Sequence, residues 1–484
     1  MELIPVFFSS ENKKLDKYTI DNYFSASHLM GFAAISVFHH YQNKFRNNPV
    51  LLICGSGNNG GDGLALAWFL IQEGFGVTLF VKDGKHSPEF LFYLKLISAR
   101  TPVRQLENFP DFSVKENSVI VDCLLGTGFV PPLSDLLARV IHKINSVQHS
   151  KQAQVISIDT PSGYYPDVKT DKYVKHDYLA EIGVRKFENI FIKHQGEYSF
   201  HPIGFPVAEY LHRFPGFLQL FPAVAKTDVV QMLQRNKNSN KYENGSLSLV
   251  GGSSGMQGAV MLSQKAFHMS GGGISKIFTP SYDTILSVVK NDPSMMVQSV
   301  ANIHQDDFFK KSKIIIIGPG LNANDFPYQP DELMRLLPEK ATVVVDAGAI
   351  SYFANIALGD NFILTPHSGE FLRLVHTSQA NWSDKTRLLQ DYAARYNCHI
   401  LLKDFVSLYC DPQKNIRIHC SPNEKLAVMG SGDMLTGILA RYLHVTKNIP
   451  EAIHASLSFM QLITKINTKN PTANEMLDYA GTLL

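Results

Sequence analysis

Short runs of β-branched and aliphatic residues recur along this chain, each ending in Gly, Asp or Pro and each followed by a segment with helical periodicity. That alternation is how β-α units read in one dimension, and it restricts the fold to parallel sheets covered by helices. Two series are present. The first comprises Val50-Leu51-Leu52-Ile53-Cys54-Gly55, Gly76-Val77-Thr78-Leu79-Phe80-Val81, Ser118-Val119-Ile120-Val121-Asp122 and Gln154-Val155-Ile156-Ser157-Ile158-Asp159. The second comprises Ser246-Leu247-Ser248-Leu249-Val250-Gly251, Ile274-Ser275-Lys276-Ile277-Phe278, Ile314-Ile315-Ile316-Ile317-Gly318, Thr342-Val343-Val344-Val345-Asp346, Phe362-Ile363-Leu364-Thr365-Pro366 and Ile400-Leu401-Leu402-Lys403. Between them, the stretch from about Pro202 to Asn244 carries Phe-Pro pairs and the polar Arg235-Asn236-Lys237-Asn238-Ser239-Asn240-Lys241, which reads as surface. The boundary is expected near residue 222, giving domains at 1–222 and 223–484. Because the series share no motif order, two different α/β domains are expected rather than a duplication.

Composition narrows the partners. Of 484 residues, 45% are apolar and 18% charged, which excludes a disordered, solvating chain. Lys+Arg 45 against Asp+Glu 43 leaves a net charge of +2 with the basic residues scattered, so nucleic acid is not an expected partner. No apolar run approaches the roughly 18 residues that a spanning helix requires. The opening Met1-Glu2-Leu3-Ile4-Pro5-Val6-Phe7-Phe8 has no basic n-region, and a cytoplasmic protein without a membrane partner is expected. Cys54, Cys123, Cys398, Cys410 and Cys420 are odd in number and lack CxxC spacing, so they are expected to be reduced, mostly buried small hydrophobes.

Ligands of open parallel sheets bind outside the carboxyl ends of the strands, where most of the unusual residues of this chain fall. Gly55-Ser56-Gly57-Asn58-Asn59-Gly60-Gly61-Asp62-Gly63 follows a strand and is expected to open the helix Leu64-Ala65-Leu66-Ala67-Trp68-Phe69-Leu70. It contains GxGxxG, with Asp83 after the next strand, about where a ribose-binding acid would sit. Two consecutive Asn and an Asp inside the loop suit instead a ligand gripped by amides and a carboxylate as well as by backbone N–H groups. The bland alternative is a helix-capping turn with Asp62 as ordinary N-terminal charge. Asp122-Cys123-Leu124-Leu125-Gly126-Thr127-Gly128 and Asp159-Thr160-Pro161-Ser162-Gly163 end two further strands at the same edge. An acid beside a Gly-Thr-Gly nest can hold a cation or act as a base near a bound phosphate.

Together these loops resemble the NAD(P)H-hydrate epimerase domain, with its Asn-Asn-Gly-Gly-Asp-Gly, Asp-x-x-x-Gly-Thr-Gly and Asp-x-Pro-Ser-Gly signatures. The resemblance runs from Leu15 to about Pro206 and implies an α/β, Rossmann-like parallel-sheet domain. It implies that Asn58, Asn59, Gly60, Gly61, Asp62, Gly126, Thr127, Gly128, Phe129, Val130, Pro131 and Pro132 hold the hydrated nucleotide, and that Asp159 contacts or deprotonates its reacting part. Asn59, Asp122 and Ser162 would ligate a potassium ion, which fits their hard oxygen donors. One departure stands out: the family's Leu-Met-Glu-Asn-Ala-Gly reads Leu29-Met30-Gly31-Phe32-Ala33-Ala34 here.

In the second half, Gly430-Ser431-Gly432-Asp433 precedes the apolar helix Met434-Leu435-Thr436-Gly437-Ile438-Leu439-Ala440. Backbone N–H groups there would stabilise a phosphoryl group in flight, and Asp433 could accept a proton from a substrate hydroxyl. GxGD alone is a common turn, and no GxxxxGK[ST] occurs. In order before it come Gly251-Gly252-Ser253-Ser254-Gly255-Met256-Gln257-Gly258-Ala259, Gly271-Gly272-Gly273, Gly318-Pro319-Gly320, Asp346-Ala347-Gly348, Thr365-Pro366-His367-Ser368-Gly369-Glu370 and Lys403. The series, from Thr227 to the C-terminus, resembles the ribokinase-like ADP- or ATP-dependent NAD(P)H-hydrate dehydratase. The joined pair resembles the bifunctional NAD(P)H-hydrate repair family.

That resemblance implies that Ala259, Gly320, His367 and Asp433 line the hydrate site, that Lys403, Asp404, Phe405, Val406, Ser407 and Gly432 hold the adenine nucleotide, with ADP ahead of ATP, and that magnesium and a homo-oligomer are involved. His367 could equally be a buried structural histidine, and Glu370 a simple helix-start charge. The family's Lys-Gly-Ala reads Lys403-Asp404-Phe405, its Asp-Ala-Asp reads Asp346-Ala347-Gly348, and its Gly-Gly-[ST]-Gly-Asp reads Met429-Gly430-Ser431-Gly432-Asp433. Four functions compete: hydrate epimerisation with nucleotide-driven dehydration, a small-molecule kinase, a nicotinamide dehydrogenase built on GxGxxG, and a nucleotide-binding protein whose second domain has decayed. The loop sequences favour the first, while the three departures keep the last alive.

Overall fold

The computed structural model describes residues 4–168, 170–192, 194–214, 218–222, 224–420 and 422–484. Its contacts divide the chain into two compact units, Pro5–Phe217 and Leu218–Leu484. Strands form where the aliphatic runs lie: Val50–Cys54, Val119–Cys123 and Ile314–Ile317 are buried at every position, as strands covered by helices on both faces must be.

In the first unit seven parallel strands lie in the order Val103–Gln105, Val77–Val81, Val50–Cys54, Val119–Cys123, Gln154–Ile158, Tyr178–Ile182 and Glu197–His201. Chain order reverses between Val50–Cys54 and Val119–Cys123, so the loops leaving these two strands diverge and open a crevice at their carboxyl ends. The α/β, Rossmann-like expectation therefore holds. Three strands of this sheet were not anticipated: Val103–Gln105, Tyr178–Ile182 and Glu197–His201. Tyr178–Ile182 is wholly buried although Glu181 interrupts its apolar run; that carboxylate accepts hydrogen bonds from Lys186 N (2.8 Å), Asn189 Nδ2 (2.8 Å) and the Tyr198 hydroxyl, which satisfies it inside the fold. Glu197–His201 then forms the sheet edge.

In the second unit the order is Met296–Ser299, Ile274–Thr279, Ser246–Val250, Ile314–Ile317, Thr342–Val345, Phe362–Leu364, His399–Leu402, Val406–Cys410, Ile416–Cys420 and Leu218–Leu220. Strands up to His399–Leu402 are parallel, and the following hairpin is antiparallel. The reversal lies between Ser246–Val250 and Ile314–Ile317. Helix Ser431–Thr446 packs on helix Gln257–Met269 and carries the GxGD segment. All five cysteines are free and four are buried. Among the described residues no helix is long and apolar enough to cross a membrane.

Two candidate active sites

The helix after Val50–Cys54 starts earlier than its apolar run suggests. It spans Asn58–Gln72 with Gly57 as its N-cap, so the Asn-Asn-Gly-Gly-Asp-Gly segment is the first helical turns rather than a loop. Gly63 permits this: a Cβ there would lie 2.7 Å from Cys123 Sγ and 2.8 Å from Cys54 Sγ, so only glycine lets the helix rest on both strands. A cavity of about 610 Å³ opens above the chain reversal. Asn58, Asn59, Gly60, Asp62, Gly126, Thr127, Gly128, Phe129 and Asp159 line it. Gly61 does not, because it faces Met30 and Phe90 in the core, and Val130, Pro131 and Pro132 lie outside. Asp83 is also outside; its carboxylate accepts from Gly84 N (2.9 Å).

Four charged lining residues had not been singled out: Lys13, Asp16, Lys82 and Glu89. Asp16, Asp62 and Asp159 thus share one cavity, and beneath Asp159 lies Lys186, 1% exposed, its Nζ 2.5 Å from Asp159 Oδ1. Burial, then repulsion from Asp159 and Asp16, raises the Asp62 carboxyl well above the usual range. Burial likewise pushes Asp16 up to about 6, with Lys186 opposing and Asp159 adding to the rise. Burial works against the Lys186 charge, yet Asp159, Glu181 and Asp16 outweigh it and raise its pKa. Asp159 sits at φ +67°. Such backbone is disfavoured for a side-chain-bearing residue and persists when neighbours over-determine it. Here Asp159 N donates to Ala180 O (2.7 Å) and Asn189 Nδ2 donates to Asp159 O (2.7 Å).

Asp122 and Ser162 are fully buried. The Asp122 carboxylate accepts from Ser162 Oγ (2.5 Å), Leu124 N (3.2 Å), Ser157 Oγ (2.9 Å) and Ser162 N (2.9 Å). Asn59 Nδ2 donates to Leu125 O (2.8 Å), and Ser162 Oγ accepts from Leu125 N (2.8 Å), so Asn59 and Ser162 meet at Leu125 and Asp122 joins them through Ser162. Asn59 Oδ1 is buried without a hydrogen-bond partner. At the altered early helix, a Cβ on Gly31 would lie 3.2 Å from the Tyr93 hydroxyl, so that hydroxyl occupies space beside the missing glutamate.

In the second unit Asp433 stands in the first turn of Ser431–Thr446, whose N-cap Gly430 has φ +88°. Burial and the nearby Asp346 push Asp433 up to about 6, against the pull of Lys403. Lys403 Nζ lies 2.6 Å from Asp346 Oδ1, which also accepts from Thr365 Oγ1 (2.7 Å). A Cβ on Gly432 would be 3.4 Å from Lys403 Nζ. Lys403, Asp346, Gly432 and Asp433 therefore form one cluster. Ala347, at φ +46°, is strained beside it. Gly320, at φ +62°, brings its Cβ position 3.2 Å from Ala259 Cβ, so these two predicted residues meet.

His367 is 58% exposed, which corrects the buried-structural reading. It is a helix N-cap: Nδ1 accepts from Gly369 N (3.0 Å) and Glu370 N (3.4 Å), while Glu370 accepts from His367 N (2.9 Å). Glu370 thus takes the capping role. His367 also bridges to Lys403 across the sheet edge. Asp404 accepts from Phe405 N (2.7 Å) and from Ser368 Oγ, and Ser407 Oγ lies 3.5 Å from Asp404 O. Phe405 is half-exposed, Met429 is 95% exposed, and Val406 is buried in the sheet, where only its backbone could meet a ligand. Gly348 explains its own departure: a Cβ there would lie 1.9 Å from Leu321 O, so a carboxylate does not fit this backbone.

Two family models match this chain. The YjeF-related protein N-terminus matches residues 26–183, and NAD(P)H-hydrate dehydratase matches residues 247–480. The chain thus carries, in order, the two domains found in bifunctional NAD(P)H-hydrate repair enzymes. It is 28% identical to the bifunctional NAD(P)H-hydrate repair enzyme Nnr of Dictyoglomus turgidum over 88% of this chain and 86% of that protein. Against the enzyme of the same name from Methanopyrus kandleri it is 27% identical, over 86% of this chain and 83% of the relative. Among solved structures, the ADP/ATP-dependent NAD(P)H-hydrate dehydratase from Bacillus subtilis, co-crystallised with ATP and Mg²⁺, is 23% identical with a TM-score of 0.45, covering 54% of this chain and 97% of that one. Both halves of the repair family are thus present in one chain, each with a cluster of charged side chains at the carboxyl edge of its sheet.

Proposed function

We infer that the first site interconverts the R- and S-hydrates of NADH and NADPH, and that the second dehydrates the S-hydrate with an adenine nucleotide, ADP in preference to ATP. The observation that carries this reading is Asp433. Its carboxyl is pushed up to about 6 and lies at a helix start, where backbone N–H groups favour phosphoryl charge. A base near neutrality can take the proton of the substrate hydroxyl as that oxygen is phosphorylated; loss of phosphate and a ring proton then restores the dihydronicotinamide. The intact Lys403–Asp346–Asp433 cluster speaks against a decayed domain.

Water added to the enamine bond of a dihydronicotinamide leaves a hydroxyl on the carbon beside the ring nitrogen, whose lone pair can expel it. At the first site Asp62, held protonated, donates to that hydroxyl. Water leaves and returns to the opposite face, and Asp159 accepts its proton. Potassium fits this domain through Asn59 Oδ1, a buried oxygen without a partner, with Asp122 supplying negative charge and Ser162 a further oxygen. Such an ion adds positive charge where a dinucleotide's phosphates are expected. Magnesium has no ready-made cage: among the described residues no group of three or more His, Cys, Asp or Glu is placed to hold a metal, so the nucleotide phosphates would carry it. A cytoplasmic homo-oligomer completes the proposal, and light scattering tests the assembly.

The deciding experiment incubates the purified protein with mixed hydrate epimers and either ADP or ATP, following reduced-nicotinamide absorbance. Complete recovery from both epimers is expected, faster with ADP. Recovery of the S-hydrate alone removes the epimerase half, and none with either nucleotide removes the dehydratase half. Melting of wild type and Asn59→Ala in potassium or lithium chloride tests the ion; a potassium-specific rise should vanish in the variant.

A further inference from the structure

We propose that Lys186 is a positioning residue for epimerisation: its buried ammonium pairs with the Asp159 carboxylate and fixes it at the cavity wall. This proposal rests on the epimerase reading of the first site, but it can be tested apart from it.

Lys186 closes the short strand Arg185–Lys186, which pairs with Ile4–Phe7 through Phe7↔Lys186. An ammonium that is 1% exposed must satisfy all three of its N–H donors inside the protein. Nζ does so with Ile182 O (2.5 Å), Val184 O (3.2 Å) and Asp159 Oδ1 (2.5 Å). The two carbonyls fix the ammonium, leaving one donor, and that donor selects the carboxylate. Ile182 serves twice, because its N–H also reaches Asp159 Oδ1 (3.4 Å). A structural ion pair would need no carboxylate on a cavity wall and no strained main chain, yet Asp159 has both.

The charges around Asp159 make Lys186 decisive. Asp16 on helix Ser9–Asn22 and Asp62 on helix Asn58–Gln72 share its cavity, and Glu181 lies behind Lys186. Glu89 lines the same cavity, as do the cations Lys13 and Lys82, but among the described residues Lys186 is the cation paired to one of its carboxyls, and the one it selects is Asp159. Asp62, without a bonded cation, keeps its proton and serves as the acid, so Lys186 creates the asymmetry between acid and base.

The test replaces Lys186 with Met, which keeps length and removes charge, and measures epimer interconversion by NMR from pH 5 to 9. The rate should fall on the order of 100-fold at pH 7. Its acidic limb should move to higher pH by roughly one to three units, since a lost cation makes Asp159 harder to ionise. Hydrate affinity should change little. A wild-type pH profile in Lys186→Met overturns the proposal even if the rate falls, because loss of packing lowers rate without moving the limb. Should the variant fail to fold, carboxyl ¹³C shifts of the wild-type protein, with Asp159 identified by its loss in Asp159→Asn, decide instead. An Asp159 that takes up its proton only below the range of a free aspartate supports the role, and one that takes it up at or above that range refutes it. That measurement also separates the two ideas: a wild type that does not interconvert epimers removes the epimerase reading, while the Asp159 shift still decides the role of Lys186.

Discussion

In the first domain the buried ammonium of Lys186 lies 2.5 Å from Asp159, the carboxylate assigned to the substrate. In the second, Lys403 lies 2.6 Å from Asp346, and Asp433, the carboxylate assigned to the substrate, has no such bond among the described residues. The same pair of groups, at the same edge of a parallel sheet, is thus used differently. Where the ammonium is bonded to the working acid, a neighbour, Asp62, has its carboxyl raised well above the usual range by burial and by repulsion from Asp159 and Asp16. Where it is bonded to the neighbour, the working acid is left near neutrality, at about 6. One arrangement suits a site that needs an acid and a base together; the other suits a single base with a phosphoryl acceptor.

The largest effect should come from Asp433→Asn, which leaves Lys403–Asp346 intact but removes the base. Dehydration should fall by about 10²- to 10⁴-fold, and epimerisation should keep its wild-type rate. A dehydratase within tenfold of wild type would place the base elsewhere. Next in size are two changes that should move the dehydratase pH profile in opposite directions. Asp346 raises Asp433 and Lys403 lowers it. Asp346→Asn should therefore carry the acidic limb below 6 and Lys403→Met above it, each by about one unit. Shifts in the same direction would refute the described cluster.

A smaller effect concerns stability. Asp16 rises from 3.8 to about 6 on folding. A raised carboxyl binds its proton more tightly in the folded state, so its contribution is fully present below pH 3.8 and is lost as pH rises through 6. Asp16→Asn should stabilise the first domain by about 1–2 kcal/mol at pH 7.5 and by nothing near pH 3.5. Hydrogen exchange in Val50–Cys54 at both pH values reads this directly, and equal protection in variant and wild type at both would mean that Asp16 ionises freely. Asp404→Gly should have the smallest effect. Its carboxylate already accepts from Phe405 N and Ser368 Oγ, so removing it should tighten ADP less than tenfold by calorimetry. A hundredfold gain would mean that this charge faces the phosphates directly.

The sheets were legible because their strands are aliphatic runs ended by turn residues, and the acids at the strand ends fell where parallel sheets bind ligands. Lys186 was not legible. It follows Arg185 near the end of a region without a motif, and its role depends on Asp159, which only the fold brings to it. Asp16 sits on a helix among Lys13, Lys14 and Lys17, where charge normally means a solvated face. Tyr178–Ile182 was hidden by Glu181, since a lone carboxylate argues against burial unless its distant partners are known. The start of Asn58–Gln72 was misplaced because a Gly-rich, Asn-rich segment has weak helix propensity, and packing against Cys54 and Cys123 overrode it. His367 was undecided because a cap and a core residue can share one local sequence.

Gly348 has a mutational consequence. The carbonyl of Leu321 stands 1.9 Å from where its Cβ would be, so Gly348→Asp cannot restore the absent carboxylate without displacing main chain. The two loops that meet there follow neighbouring strands, Ile314–Ile317 and Thr342–Val345, paired residue by residue. A single substitution therefore breaks the loop contact before it adds a ligand, and Gly348→Asp should give a less stable protein. A carboxylate fits at this position only if the Leu321 turn is rebuilt with it.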